Sequence, residues 1–263
     1  MKYPGYPSLL WRGAEDEVVS MKKKTYFISD LHLDESRPQL FELLYQFIDA
    51  IQNKADALYI LGDLFEFWIG DNTIDTPAGE PYLPVLNKLR VLSDSGVPLY
   101  FIQGNRDFLA QGQFVARIGA SLLPDQQLID LYGTPTLIMH GDTLCTDDKG
   151  YQRMRWLFRR TIIQKIYLSL SEEKRAKQAG SVRNATTKTT RQKAYDILNV
   201  NQQEVEKVMT QAGVLQLIHG HTHRPKIHKF DLNGQSAQRI VLGDWHDKAC
   251  YLEIGPDRME LVF

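Results

Sequence analysis

At 263 residues and 43% hydrophobic content the chain is long enough to bury one large α/β core with an insertion, or two small cores. Its 31 Lys and Arg nearly cancel 32 Asp and Glu, so the protein is not basic as a whole, and only Cys145 and Cys250 are present, which excludes a disulfide framework and suits a reducing cytosol. No run of about eighteen apolar residues occurs, so a transmembrane helix is excluded on length.

Residues 1–20 include Glu15, Asp16 and Glu17 and no continuous apolar stretch, unlike a secretory signal, and are expected to form a poorly ordered extension. Short apolar runs bounded by Gly, Asp or Pro predict strands over Tyr26–Ser29, Ala57–Leu61, Leu99–Gln103, Thr136–Met139 and Leu215–Ile218. Helical segments alternate with them. Leu40, Leu43, Leu44, Phe47, Ile48 and Ile51 recur at helical spacing and predict a helix ending near Asn53. Further helices are predicted over Val85–Leu92, over Phe114–Ile118 before Gly119, and after Asn201, which with Glu204 makes a capping box, up to Gly213. Arg239–Leu242, Ala249–Ile254 and Met259–Phe263 read as antiparallel strands, expected to form a second, largely antiparallel layer. Between Asp147 and Asn201 the strand–helix rhythm stops, and two helical stretches follow one another. The expected organisation is a core of residues 21–147 and 201–263, a layered α/β sandwich, with a helical cap over 148–200.

Five polar blocks each follow one of the predicted strands: Asp30-Leu31-His32, Gly62-Asp63, Gly104-Asn105-Arg106-Asp107, His140-Gly141-Asp142 and Gly220-His221-Thr222-His223. Ligands in open α/β sheets gather beyond the carboxyl ends of the strands, so these blocks can converge on two divalent cations. The candidate metal ligands are Asp30, His32, Asp63, Asn105, His140, His221 and His223. Any one alone reads as a turn or surface residue; seven in order at strand ends do not. Asp63 has two oxygens with which to bridge cations about 3.5 to 4 Å apart. Asn105 adds no negative charge to a site that must receive phosphate. Imidazole mixed with oxygen donors points away from Ca²⁺ and suits two Mn²⁺, with Fe²⁺, Co²⁺ or Zn²⁺ also accommodated. His219 is expected to be structural.

The ordered blocks resemble those of the calcineurin-like metallophosphoesterase superfamily from Asp30 to His223. The fuller matches at Gly62-Asp63-Leu64-Phe65-Glu66, at Asp147-Asp148 and at Ile218-His219-Gly220-His221-Thr222-His223-Arg224-Pro225 resemble its UDP-2,3-diacylglucosamine hydrolase branch, of lipid A biosynthesis. The resemblance implies a Mn²⁺-dependent bacterial pyrophosphate hydrolase that releases 2,3-diacylglucosamine 1-phosphate and UMP on the cytoplasmic face of the Gram-negative inner membrane. It assigns Asp30, His32, Asp63 and His223 to one metal and Asp63, Asn105, His140 and His221 to the other. It carries substrate contacts to Asn105, Arg106, Asp148, Lys193 and His221. Thr186 and Thr190 stand where the family usually has Ser and Asn; Thr186 keeps the hydroxyl, whereas Thr190 loses a carboxamide. Asn105, Arg106 and His221 are then the catalytic candidates.

Many enzymes of this superfamily have His at the position of Arg106, where it protonates an alkoxide leaving group. Arg cannot give up a proton near neutral pH. That suits a leaving phosphate, whose second pKa is about 6, with Arg106 binding phosphate oxygens bidentately. The alternative is a surface ion pair between Arg106 and Asp107.

Residues 151–193 hold twelve Lys or Arg against only Glu172 and Glu173, giving +10 there and −11 for the remainder. Trp156, Leu157, Phe158, Ile162, Ile163, Ile166, Tyr167, Leu168 and Leu170 lie among Arg153, Arg155, Arg159, Arg160 and Lys165. This pattern fits a cap that takes acyl chains or lies on an anionic membrane, and equally an ordinary core-packed helix with a solvated basic face. A lipid-linked UDP-sugar is the expected substrate, with no nucleic acid and no obligate protein partner. A metal-dependent nuclease is the alternative enzyme, and a metal-free scaffold the alternative without activity.

Overall fold

The computed structural model describes residues 24–181 and 199–263. The expected N-terminal extension, Thr186, Thr190 and Lys193 lie outside the described residues. The first sheet contains β1 (Lys24–Ile28), β2 (Ala55–Ile60), β3 (Leu99–Phe101), β4 (Ala120–Leu122), β10 (Tyr251–Ile254) and β11 (Met259–Val262), in the order β11-β10-β1-β2-β3-β4. The second contains β5 (Gln126–Leu131), β6 (Thr134–Met139), β7 (Gln216–His219), β8 (Lys226–Leu232) and β9 (Gln235–Val241), in the order β5-β6-β7-β9-β8.

Side-chain alternation along the strands builds the layers. Tyr26 and Ile28 of β1 pack outward on α1 (Pro38–Ile51), α2 (Leu83–Asp94) and α3 (Gly112–Ile118), through Leu44, Phe47, Leu89 and Phe114. Phe27, between them, points the other way and meets Ile138, Ile218 and Ile240 of the second sheet. Leu137, Met139 and Leu217 face α7 (Gln202–Ala212) through Val205, Val208 and Met209. The result is helices, sheet, sheet, helix. Strands buried on both faces must be apolar throughout, which is why the central strands read as continuous hydrophobic runs.

The predicted strands and helices are present with small shifts at their ends. Asn201 caps α7, its side chain accepting from Glu204 N at 3.2 Å, and Gly213 ends it at φ 68°. The expectation for the last strands is corrected. β9 pairs in parallel with β7 in the second sheet, whereas β10 and β11 return antiparallel to β1 in the first. The crossing loop is anchored by Trp245, fully buried, whose Nε1 donates to Cys250 O at 2.7 Å. β4, β5 and β8 were not predicted. β5 and β8 are edge strands joined to their neighbours by two-residue turns, Tyr132-Gly133 and Asn233-Gly234, all four residues at positive φ.

Between β6 and α7 lie α4 (Lys149–Phe158), α5 (Thr161–Leu168) and α6, described over 172–181. Arg175 of α6 is buried, its guanidinium donating to Ile69 O and Asn72 Oδ1. No helix among the described residues is long and apolar enough to cross a membrane.

Candidate metal centre

Every predicted ligand block sits just beyond a strand end, and the backbone there is unusual. Asp30, His32, Asp63, His221 and His223 all adopt positive φ, between 49° and 69°. For residues with a Cβ this left-handed conformation costs of order 1 to 3 kcal/mol each and persists only where the surroundings enforce it. The enforcement is visible. Asp30 N and His32 N donate to Gly62 O and Asp63 O, and Gly220 N donates to His140 O. Gly104 and Gly220 permit the approach, because a Cβ on either would overlap a carboxylate oxygen, of Asp63 and Asp30 respectively.

The ligand atoms converge in two overlapping groups: Asp30, His32 and His223, and Asp30, Asp63 and His140, each within 4.8 Å. Asp63 Oδ2 lies 3.8 Å from His32 Nε2 and its Oδ1 3.8 Å from His140 Nε2, so it stands between the groups as a bridge should. His140 Nδ1 donates to Leu61 O at 2.8 Å; in the neutral ring the lone pair on Nε2 then faces Asn105 Oδ1, another acceptor, at 3.0 Å. His32 Nε2 and His223 Nε2 face each other at 3.1 Å, with Nδ1 of His32 3.3 Å from Glu66 Oε2 and Nδ1 of His223 3.2 Å from Asp244 Oδ2. Asp30 Oδ1 is buried with no hydrogen-bond donor among the described residues, His223 Nε2 lying 3.4 Å away. Acceptors aimed at acceptors repel unless a cation or proton lies between them, and this donor set fits divalent metal. His221 is placed less centrally: its N donates to Asp30 Oδ2 at 2.8 Å and its ring meets that of His140 edge-on at 5.1 Å.

The electrostatics point the same way. Burial would depress the pKa of His223, but the Asp30 and Asp244 carboxylates outweigh it and raise it to about 10. For Asp30 burial is likewise overcome, by His223, His140 and His32, which hold its carboxyl well below the usual range. The pocket thus demands positive charge. His221 is pushed down to about 4 by burial and by His140. His219, at about 3 through burial and the Arg239 guanidinium 3.1 Å from its Nε2, is a neutral structural residue, as expected.

Residues behind the ligands were only partly seen from sequence. Asp107 is fully buried and staples two blocks together, accepting from Leu64 N and Gly104 N at 2.8 Å each. A surface ion pair with Arg106 is therefore not what it forms. Arg106 instead donates its backbone N–H to Asp63 Oδ1 at 2.8 Å and places its guanidinium 5.0 Å from the Phe67 ring centroid. Asp142 accepts from Tyr151 Oη and Arg155 Nε, each at 2.6 Å. Glu66 and Asp244, which orient His32 and His223, were missed. Gly243-Asp244 after β9 repeats the strand, Gly, Asp pattern of Gly62-Asp63, a signal that was present in the sequence.

Beside the centre lies a cavity of about 370 Å³. Asn105, Arg106, Asp142 and Tyr151 line its metal end; Phe67, Phe108, Met154, Phe158, Ile163, Ile166, Tyr167 and Leu170 make the rest largely apolar. Asp148 is not in this lining: it caps α4, accepting from Tyr151 N at 3.1 Å. The cap residues divide in a way the sequence left open. Arg155 and Arg159 point inward and Trp156 and Ile162 are 61% and 72% exposed, whereas Tyr167 and Leu168 of α5 pack against the core, so the stretch is core-packed only in part.

Residues 23–225 match the calcineurin-like phosphoesterase family. A UDP-2,3-diacylglucosamine hydrolase of Vibrio parahaemolyticus is 46% identical over 237 residues, 90% of this chain and 96% of that protein. Proteins of the same name from Serratia proteamaculans and Pseudomonas aeruginosa are 43% and 46% identical, over 90% and 87% of this chain and 98% and 93% of theirs. With the strand-end centre described above, the chain belongs to the calcineurin-like phosphoesterase family and, within it, to the UDP-2,3-diacylglucosamine hydrolases.

Proposed function

We propose that the chain hydrolyses the pyrophosphate bond of UDP-2,3-diacylglucosamine, giving 2,3-diacylglucosamine 1-phosphate and UMP in lipid A biosynthesis. The observation that carries this reading is the continuity between the metal centre and an apolar cavity: a phosphate held at Asn105 and Arg106 leaves its lipid end among Phe108, Phe158 and Ile163. A polynucleotide would gain nothing from such a wall.

Asp30, His32, Asp63 and His223 would hold one divalent ion, and Asp63, Asn105, His140 and His221 a second, Mn²⁺ in our reading. When bound, such a pair acidifies water and neutralises phosphate charge. The side chains do the positioning. Asp63 joins the two halves of the centre. Asn105 and His221 bring no negative charge to a site that must accept a diphosphate. Arg106 pairs with phosphate oxygens and stabilises charge that develops on them, and the departing sugar phosphate needs no proton. Asp148, Thr186, Lys193 and, with its carboxamide lost, Thr190 complete the substrate contacts in this reading.

The exposed Trp156, Ile162 and Ile166, with Arg160 4.0 Å from the Trp156 ring centroid, suit peripheral contact with an anionic membrane on its cytoplasmic face. The test is UMP release from UDP-2,3-diacylglucosamine with Mn²⁺, set against UDP-glucose, a nucleotide diester and DNA. Preference for UDP-glucose or DNA would overturn the reading. In heavy-oxygen water the label is expected in UMP; label in the sugar phosphate would mean that the other phosphorus is attacked.

A further inference from the structure

Tyr151 and Arg155 of α4 and Arg159, which caps its C-terminus, follow one another at i, i+4 spacing, so the three side chains stack along one stripe. That stripe points at the metal blocks. Arg159 Nη2 donates to Gly104 O at 2.9 Å, one residue before Asn105, while Nη1 donates to Gln103 Oε1 at 2.9 Å. Arg155 Nε donates to Asp142 Oδ2 at 2.6 Å, two residues after His140, where Tyr151 Oη also donates. Asp125 ties the pair together, accepting from Arg155 Nη2 at 2.6 Å and Arg159 Nη1 at 3.2 Å. Tyr151, Arg155 and Arg159 also line the apolar cavity, beside Met154 and Phe158 of the adjacent stripe.

We propose that Arg155 and Arg159 are positioning residues for the metal centre: from the helix that walls the cavity, they hold the loops that present His140, Asn105 and Arg106. Their guanidiniums are engaged by backbone and carboxylate oxygens, so neither is a spare cation waiting for phosphate. An ion-paired guanidinium forking onto a fixed carbonyl fixes a loop more tightly than an ammonium does, since it makes several directed bonds at once. The proposal rests on the phosphoesterase reading of this centre but not on the identity of the lipid.

The experiment uses the full chain with Mn²⁺ and two substrates, UDP-2,3-diacylglucosamine and bis(p-nitrophenyl) phosphate, which has no acyl chain to occupy the cavity. Turnover of the acyl-free diester by the wild-type protein establishes the centre independently of the lipid substrate. Arg159→Ala is expected to lower kcat on both substrates by a similar factor, about ten- to a hundredfold, with weaker Mn²⁺ binding by titration and little change in KM for the diester. Arg159→Lys should restore only part of the loss. Should Arg159→Ala fold poorly, Asp125→Asn, which loosens both arginines without touching a metal block, should shift kcat on both substrates in the same direction by a smaller factor. A loss confined to the diacylated substrate, or a change in KM alone with Mn²⁺ affinity and diester kcat intact, would leave the arginines as cavity lining only and overturn the proposal.

Discussion

The strand-end centre and the helices beside it are built on opposite terms. Asp30, Asp63 and His140 are at most 1% exposed, and five of the seven proposed ligands sit in strained left-handed backbone. Neither α4 nor α5 contains a fully buried residue, and between them they expose Met154, Trp156, Leu157, Phe158, Ile162 and Ile166. Strain is tolerable in the first region because two packed sheets fix the chain on both sides, so side chains are aimed before any substrate arrives. The second region keeps apolar surface that a purely structural helix would have buried. Such surface is expected where function requires contact with lipid. In the proposed function, chemistry falls in the buried, strained centre and selectivity in the exposed helices.

The largest effect should come from the stiff region. Asp63→Asn is expected to abolish turnover on every substrate and to reduce bound metal, because one carboxylate serves both halves of the centre. Near-normal kcat with two metals per chain would break the assignment. Arg106→Ala should lower kcat by about 10²- to 10³-fold with metal content unchanged, and Arg106→Lys should recover little, since bidentate geometry is lost. Metal loss equal to that of Asp63→Asn would instead make Arg106 part of the scaffold.

The open region should affect affinity rather than chemistry. Each buried methylene is worth about 0.8 kcal/mol, roughly fourfold in affinity, so binding should fall stepwise as acyl chains are shortened. Phe158→Asp should raise KM for the diacylated substrate about tenfold and leave an acyl-free phosphoester nearly unaffected. Parallel loss of both activities would erase the contrast between the regions. Ile162 does not line the cavity and is exposed, so Ile162→Ser should change catalysis least. Its expected effect is a few-fold weaker sedimentation with anionic vesicles; unchanged sedimentation would remove this face from any membrane contact.

Much of this was legible in the chain. The buried central strands announced themselves because a strand covered on both faces has no choice but to be apolar, and each polar block after such a run marked the place where the chain leaves the sheet. The candidate ligands were named from residue type and order alone, and the structure brings Asp30, His32, Asp63, His140 and His223 together. β5 and β8 were harder to read, since edge strands mix polar and apolar residues. The positioning residues were harder still: Glu66 and Asp244 look like any acidic side chains until His32 and His223 are seen turned toward them.

Sequence by itself determined the strand-end blocks, the order of the candidate ligands and the change to helix after Asp147, because these depend on local periodicity and turn chemistry. Tertiary structure alone decided that β10 and β11 rejoin the first sheet while β9 stays in the second, since antiparallel pairing is a contact between distant segments with no local mark. It also decided which arginines of α4 face the metal loops and which face outward. Periodicity places Arg155 and Arg159 on one face, but only the packed Gly104 carbonyl and Asp142 carboxylate make that face the buried one.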